Sequence, residues 1–176
     1  MSDHGIAIKA GRHLLIDGTP DPVDYGLGSC ANNGDQQSIA LLTGANSGGK
    51  TTMLELLAHC TILAHMGLPV PAKSAKVGRI ESLHVLAKAG GTQSAGALEQ
   101  TLMQLAEVVS NSNSKLILAD ELEAITEPGA GARIIAGMLE AAESHPGTCM
   151  LLVTHLAPAI IEAAGKELRT DGIEAR

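Results

Sequence analysis

Gly44-Ala45-Asn46-Ser47-Gly48-Gly49-Lys50-Thr51 fits the pattern G-x-x-x-x-G-K-[ST] without a mismatch. An apolar run precedes it, Ser38-Ile39-Ala40-Leu41-Leu42-Thr43, and reads as a buried strand. A predicted helix follows, from about Lys50 to Met66, closed by Gly67 and then Pro69 and Pro71. Strand, glycine loop, helix is the context that this pattern requires. Glycines let the backbone curl so that successive N–H groups face phosphate oxygens, and the positive end of the helix adds favourable charge. Lys50 would bring an ammonium to the β- and γ-phosphates, and the Thr51 hydroxyl would ligate Mg²⁺. The plainer alternative is a glycine-rich turn carrying an exposed lysine.

Outward from that loop, apolar runs alternate with helical stretches. Ile6-Ala7-Ile8 and His13-Leu14-Leu15-Ile16 predict two short strands joined at Gly11. Asp17 to Gln37 reads as loop with one brief strand near Val23 to Leu27. Strands are expected at Ile80–Ala87, Lys115–Ala119 and Thr148–Val153, and helices at Ala97–Ser110, Gly131–Ser144 and Ala157–Ala164. The alternation predicts an α/β sheet with covering helices. One domain over 1–176 is expected, an N-terminal β and loop portion to residue 37 and a core from residue 38.

Leu116-Ile117-Leu118-Ala119-Asp120-Glu121 ends an apolar strand in two carboxylates. Ligands of parallel sheets gather at the carboxyl ends of strands, where the glycine loop also lies. Asp120 there would hold Mg²⁺ through water, and Glu121 would polarise an attacking water as general base. A solvated strand end is the alternative. No Asn-Lys-x-Asp base-reading motif is present, which argues against a GTPase. The middle of the chain carries only Arg79 and Arg133, too little for the basic lid of a small-molecule kinase.

Gln93-Ser94-Ala95-Gly96-Ala97 stands before the second predicted helix. Its hydroxyl and small residues suit an anion-binding helix start, in which Ser94 and Gly96 would reach the γ-phosphate held by a second subunit. On the residues alone an ordinary N-cap is the stronger reading. Thr154-His155 follows a predicted strand, so His155 reads as a γ-phosphate sensor or as a polar loop residue. Tyr25 is the one aromatic platform for an adenine ring, Val23 an alternative apolar contact, and a half-buried Tyr over a sheet edge the third option. His59, Cys60 and His65 lack metal-ligand spacing.

The chain has 176 residues, 45% of them hydrophobic and 18% charged, which excludes a disordered or fibrous chain. A net charge of −7 argues against this piece alone being a DNA-binding surface. No bilayer-spanning apolar run and no signal peptide are read in it. Three widely spaced cysteines without a CxxC pair read as reduced thiols of a cytoplasmic protein. There is no Phe, no Trp and one Tyr, so Leu, Ile, Val, Ala and Met must build the core.

The order of motifs resembles the ATPase domain of the MutS family. The resemblance runs from Gly11-Arg12-His13 through Asp21-Pro22-Val23-Asp24-Tyr25 to Leu41–Thr52, then Met66–Ala72, Leu118–Glu121 and Val153–His155. Glu121–Ala130 looks like the archaeal MutS-like branch and is also similar to the second bacterial branch of the family. The resemblance implies a P-loop NTPase fold of the ABC ATPase type: a central, mainly parallel sheet flanked by helices, with an N-terminal antiparallel β portion. It also implies ATP/ADP and Mg²⁺ as ligands, a homodimer that sandwiches nucleotide, and DNA engaged only through domains missing here. Carried over by position, Gly44, Ala45, Asn46, Ser47, Gly48, Gly49, Lys50, Thr51 and Thr52 bind phosphates and metal. Asp120 holds metal, Glu121 activates water and His155 is the switch histidine. Ser94 and Gly96 act in trans, with Thr101 a rival because the Ser-Thr-Phe run of the main branch is lacking. Glu123–Gly129 would cross the dimer interface. A minimal ATPase module is the expectation, and a passive nucleotide switch or a kinase its rivals.

Overall fold

A computed structural model describes residues 3–31, 37–45, 48–86, 103, 106–122 and 128–173. Among the described residues, eight strands form two sheets. β1 (Ile6–Gly11), β2 (Val23–Leu27) and β4 (Ser74–Val77) make an antiparallel sheet in the order β2-β1-β4. β3 (Ile39–Gly44), β5 (Ser82–Leu86), β6 (Lys115–Asp120), β7 (Thr148–Val153) and β8 (Thr170–Ile173) make a five-stranded sheet in the order β5-β6-β7-β3-β8. All of its described pairings are parallel. Helices α1 (Lys50–His65), α2 (Pro128–Glu143) and α3 (Ala157–Ala164) flank it, as does a helical stretch at 106–110.

The apolar runs of β3, β6 and β7 are continuous because both faces of the parallel sheet are covered. Side chains alternate between two layers. Ala40, Leu42, Leu116, Leu118, Leu151 and Val153 pack with α1 and the antiparallel sheet, through Met53, Leu57, Ile6 and Ile8. Leu41, Ile117, Met150 and Leu152 pack with Val109, with Ile135 and Leu139 of α2, and with Ile160 of α3. Each such aliphatic side chain contributes roughly 1.5–3 kcal/mol by leaving water. Short branched chains therefore do here what rings do elsewhere.

Lys115 opens β6 and is fully buried, yet its ammonium is not orphaned. It donates to Val108 O at 2.7 Å and to Asn111 O, capping the carbonyl end of the 106–110 helical stretch. Cations are favoured at that end of a helix.

Register sets the site. Val153 faces Leu42 on one side and Asp120 on the other, so the carboxyl ends of β3, β7 and β6 finish level. The loops that leave these three strands consequently emerge side by side.

The structure corrects the expectation of a second strand at His13–Ile16. β1 instead continues to Gly11 through a register irregularity after Ile8, and 14–15 form a turn with Leu15 78% exposed. His13 is buried there by side-chain bonding to Glu55 of α1, not by strand pairing.

Candidate functional site

The loop after β3 is shaped by close backbone approach. Gly44 has φ 146°, and a Cβ on it would stand 2.4 Å from Ile173 O of β8, so no side chain fits. Gly49 takes φ 82° at the N-cap of α1 and offers no side-chain cap to the helix N–H groups. Lys50 is 95% buried by its stem, and its Nζ folds back to donate to Gly44 O at 2.7 Å and Ala45 O at 3.0 Å. The loop's own carbonyls thus hold the ammonium back against the start of the loop.

Thr51, one residue into α1, donates its hydroxyl to Asp120 Oδ2 at 2.7 Å. That bond joins the loop after β3 to the end of β6 across the intervening β7. Glu121 follows with φ 46°, a left-handed conformation that strains a residue with a side chain. Its N–H donates to Val153 O at 3.0 Å, which holds the turn, and its Oε1 lies 2.8 Å from His155 Nε2. Thr154 fixes that histidine's backbone: its N–H donates to Leu42 O at 3.1 Å, and its buried hydroxyl accepts from Leu156 N–H at 2.9 Å. Lys50, Thr51, Asp120, Glu121 and His155 therefore gather at one edge, with Gly44, Ala45, Gly48 and Gly49 framing it. Thr52 is half-buried in the first turn of α1. Asn46, Ser47, Ser94, Gly96, Thr101 and 123–127 lie outside the described residues.

A cleft of about 540 Å³ is bounded by Val23, Tyr25, Leu42, Met53, Asp171 and Ile173. Tyr25 and Val23 thus do face a common space beside α1. Tyr25 is tied down, however. Its hydroxyl donates to Asp171 Oδ2 at 2.8 Å, and the Arg169 guanidinium lies 5.4 Å from its ring centroid. Burial pushes the phenol well above its usual range, the Asp171 carboxylate adds to this, and Arg169 opposes it. The sequence reading missed Arg169, Asp171 and Ile173, because Thr170-Asp171-Gly172-Ile173 has no apolar run to mark a strand.

A larger cleft, about 890 Å³, opens at the opposite edge near Ile39, Ser114 and Thr148. The acid–base residues converge at the carboxyl edge, and chemistry follows them rather than volume.

His59 and His65 belong to the packing of α1. The His59 ring lies 5.3 Å from that of His13, and His65 bonds Thr61 O and Ile80 N–H at 2.9 and 3.2 Å. All three cysteines are buried. Burial pushes the Cys149 thiol up to about 12 and Cys60 up to about 11, and raises Cys30 as well. None is a ready nucleophile.

Comparison with known proteins agrees with this architecture. The family model described as MutS domain V matches residues 40–169. "DNA-binding protein MutS2" of Pyrococcus furiosus is 41% identical over 99% of this chain and 31% of its own length. "Endonuclease MutS2" of Ruminiclostridium cellulolyticum is 33% identical over 99% of the chain and 21% of its own. "DNA mismatch repair protein MutS" of Acetivibrio thermocellus is 29% identical over 98% of the chain and 20% of its own. The chain therefore spans less than a third of the length of these relatives.

Proposed function

Because the chain belongs to the MutS family, we propose that it is an ATP-binding and ATP-hydrolysing module that uses Mg²⁺ and acts as a homodimer with nucleotide held between two copies. The observation that carries this reading is the Thr51–Asp120 bond beside a loop that already cradles an ammonium.

The donor set fits the metal. A hydroxyl and a carboxylate converge within 2.7 Å, the hard-oxygen pair that suits Mg²⁺ when nucleotide phosphates supply further ligands. Bound there, Mg²⁺ would neutralise charge on the β- and γ-phosphates. The chain's own residues do the rest. Lys50 exchanges Gly44 O and Ala45 O for phosphate oxygens, and the amides of the loop and of the first turn of α1 point at the same charge. Asn46, Ser47, Gly48 and Thr52 complete the cradle. Glu121 orients water toward the γ-phosphate and accepts its proton, while His155 holds the Glu121 carboxylate and senses the phosphate. Val23 and Tyr25 supply the wall for the adenine ring.

Ser94 and Gly96 of a second copy, with Thr101 as the rival contact, would close the site, so hydrolysis should rise with dimerisation. The archaeal branch is the one favoured, since the Pyrococcus furiosus relative is 41% identical to the chain, against 33% and 29% for the two bacterial relatives at similar coverage. DNA would be engaged indirectly: two of the three relatives carry DNA in their names and all are three to five times longer, whereas this chain has a net charge of −7. The setting of such work is the cytoplasm, and no described helix is long and apolar enough to cross a membrane.

Calorimetry with Mg-ATP, followed by phosphate release at rising protein concentration, tests the reading. Specific activity that climbs with concentration is expected. No heat of binding with any adenine nucleotide would overturn it.

A further inference from the structure

β8 is a short edge strand of the parallel sheet. It has four residues and, among the described strands, pairs only with β3. Yet its last residue forms the back of the glycine loop. Ile173 O lies 2.4 Å from where a Cβ on Gly44 would sit and 3.3 Å from one on Gly48, and its side chain reaches the Gly49 position at 4.0 Å. β8 therefore packs directly against the glycines that frame the loop.

A second set of contacts pins this strand from the other sheet. Asp171 receives the Tyr25 hydroxyl at 2.8 Å on Oδ2. Arg169 grips the same carboxylate as a fork, Nε to Oδ1 at 3.1 Å and Nη2 to Oδ2 at 3.0 Å. The other guanidinium nitrogen, Nη1, donates to Gly26 O of β2 at 2.9 Å. Asp171 O in turn accepts the Thr43 hydroxyl of β3 at 3.2 Å, one residue before the loop. A chain of bonds thus runs from β2 through Tyr25 and Asp171 to the base of the phosphate loop. The Arg169 and Asp171 side chains are only 15% and 26% exposed, so water competes weakly for them.

We propose that Tyr25 is a positioning residue for the nucleotide: its hydroxyl, through Asp171, fixes β8 so that Ile173 holds the glycine loop in its binding curvature. The inference rests on the ATP-binding reading above. It differs from a stacking role for Tyr25, because it assigns the work to the hydroxyl and not to the ring.

Tyr25→Phe isolates that hydroxyl, since the ring remains. Mg-ATP affinity of the variant should fall about tenfold, the scale of one hydrogen bond to a charged group, with the loss appearing in Kd and KM rather than in kcat. Asp171→Asn should weaken binding at least as much, since a single amide oxygen cannot accept from both the Tyr25 hydroxyl and the Arg169 fork, and the charge is lost. The double variant should be no worse than the worse single one, as expected of residues acting through one contact. Amide hydrogen exchange of nucleotide-free protein supplies a second readout. Exchange over 44–53 should quicken in Tyr25→Phe, while exchange over α2 stays as in the parent. Parent-like Kd in Tyr25→Phe, or exchange quickened equally everywhere, overturns the proposal. If the parent itself binds no Mg-ATP, the ATP reading fails, and the exchange pattern still decides whether Tyr25 holds the loop.

Discussion

Thr51 and Asp120, sixty-nine positions apart, meet at 2.7 Å where the first turn of α1 faces the end of β6. Neither residue needs the other for secondary structure. Thr51 is exposed on its helix, and Asp120 is the last residue of its strand. Their bond places two oxygens where a hard cation would need them. Asp120→Ala should abolish the enhancement of nucleotide binding by Mg²⁺ and cut hydrolysis by at least about a hundredfold. Calorimetry with and without Mg²⁺ checks the first, and phosphate release the second. Unchanged Mg²⁺ dependence would remove Asp120 from the metal site.

Lys50→Ala should abolish nucleotide binding. It also leaves Gly44 O and Ala45 O without their ammonium partner. Unsatisfied polar groups cost roughly 1–3 kcal/mol when buried, less where water reaches them. The nucleotide-free variant should therefore melt no higher than the parent, and thermal unfolding measured beside calorimetry separates the two effects.

Glu121→Gln keeps a side chain of the same shape but cannot accept a proton. Binding should persist, hydrolysis should fall by roughly a hundredfold or more, and an ATP-bound dimer should accumulate in light scattering. Full hydrolysis by this variant would sink the role of Glu121 as base. Glu121→Gly is a useful companion, because φ 46° costs a glycine almost nothing. Its folded state should be as stable as the parent's or more so, with activity lost all the same.

The buried thiols give alkaline instability a direction. Burial raises Cys60 from 9.0 to about 11 and Cys149 from 9.0 to about 12. The unfolded chain then loses these protons first as pH rises. The stability they confer is whole below the ordinary thiol value and drains away as pH climbs through that window. Tyr25, also raised, works in the same sense, and Lys115, lowered by burial, in the opposite one. Urea midpoints measured from neutral pH upward should fall past about pH 9. Thiolate absorbance should stay low in native protein and appear on unfolding. A native thiolate signal near the ordinary cysteine value would contradict this.

The central strands β3, β6 and β7 were legible because burial on both faces forces a continuous apolar run, and the glycine loop because only glycines tolerate its approach to β8. Edge strands carry no such mark. β4 has three exposed residues of four and β8 alternates exposed with half-buried ones, so neither reads as apolar. The run Leu14-Leu15-Ile16 misled in the other direction: apolar composition suggested a strand where the chain turns outward into solvent. The residues that bear charge at the site were visible from their place after apolar runs. Their mutual contacts were not, since the Tyr25–Asp171 bond joins residues 146 positions apart and depends on how two sheets meet.

Having a single tyrosine and no tryptophan has a practical side. All of this chain's intrinsic near-ultraviolet emission originates from one phenol, at the seam between the two sheets and beside the cleft. A carboxylate accepting a phenol's proton bond dims tyrosine light, so loosening of that seam would brighten the protein. The molecule carries its own optical gauge of loop support, with no dye attached and no second fluorophore to subtract.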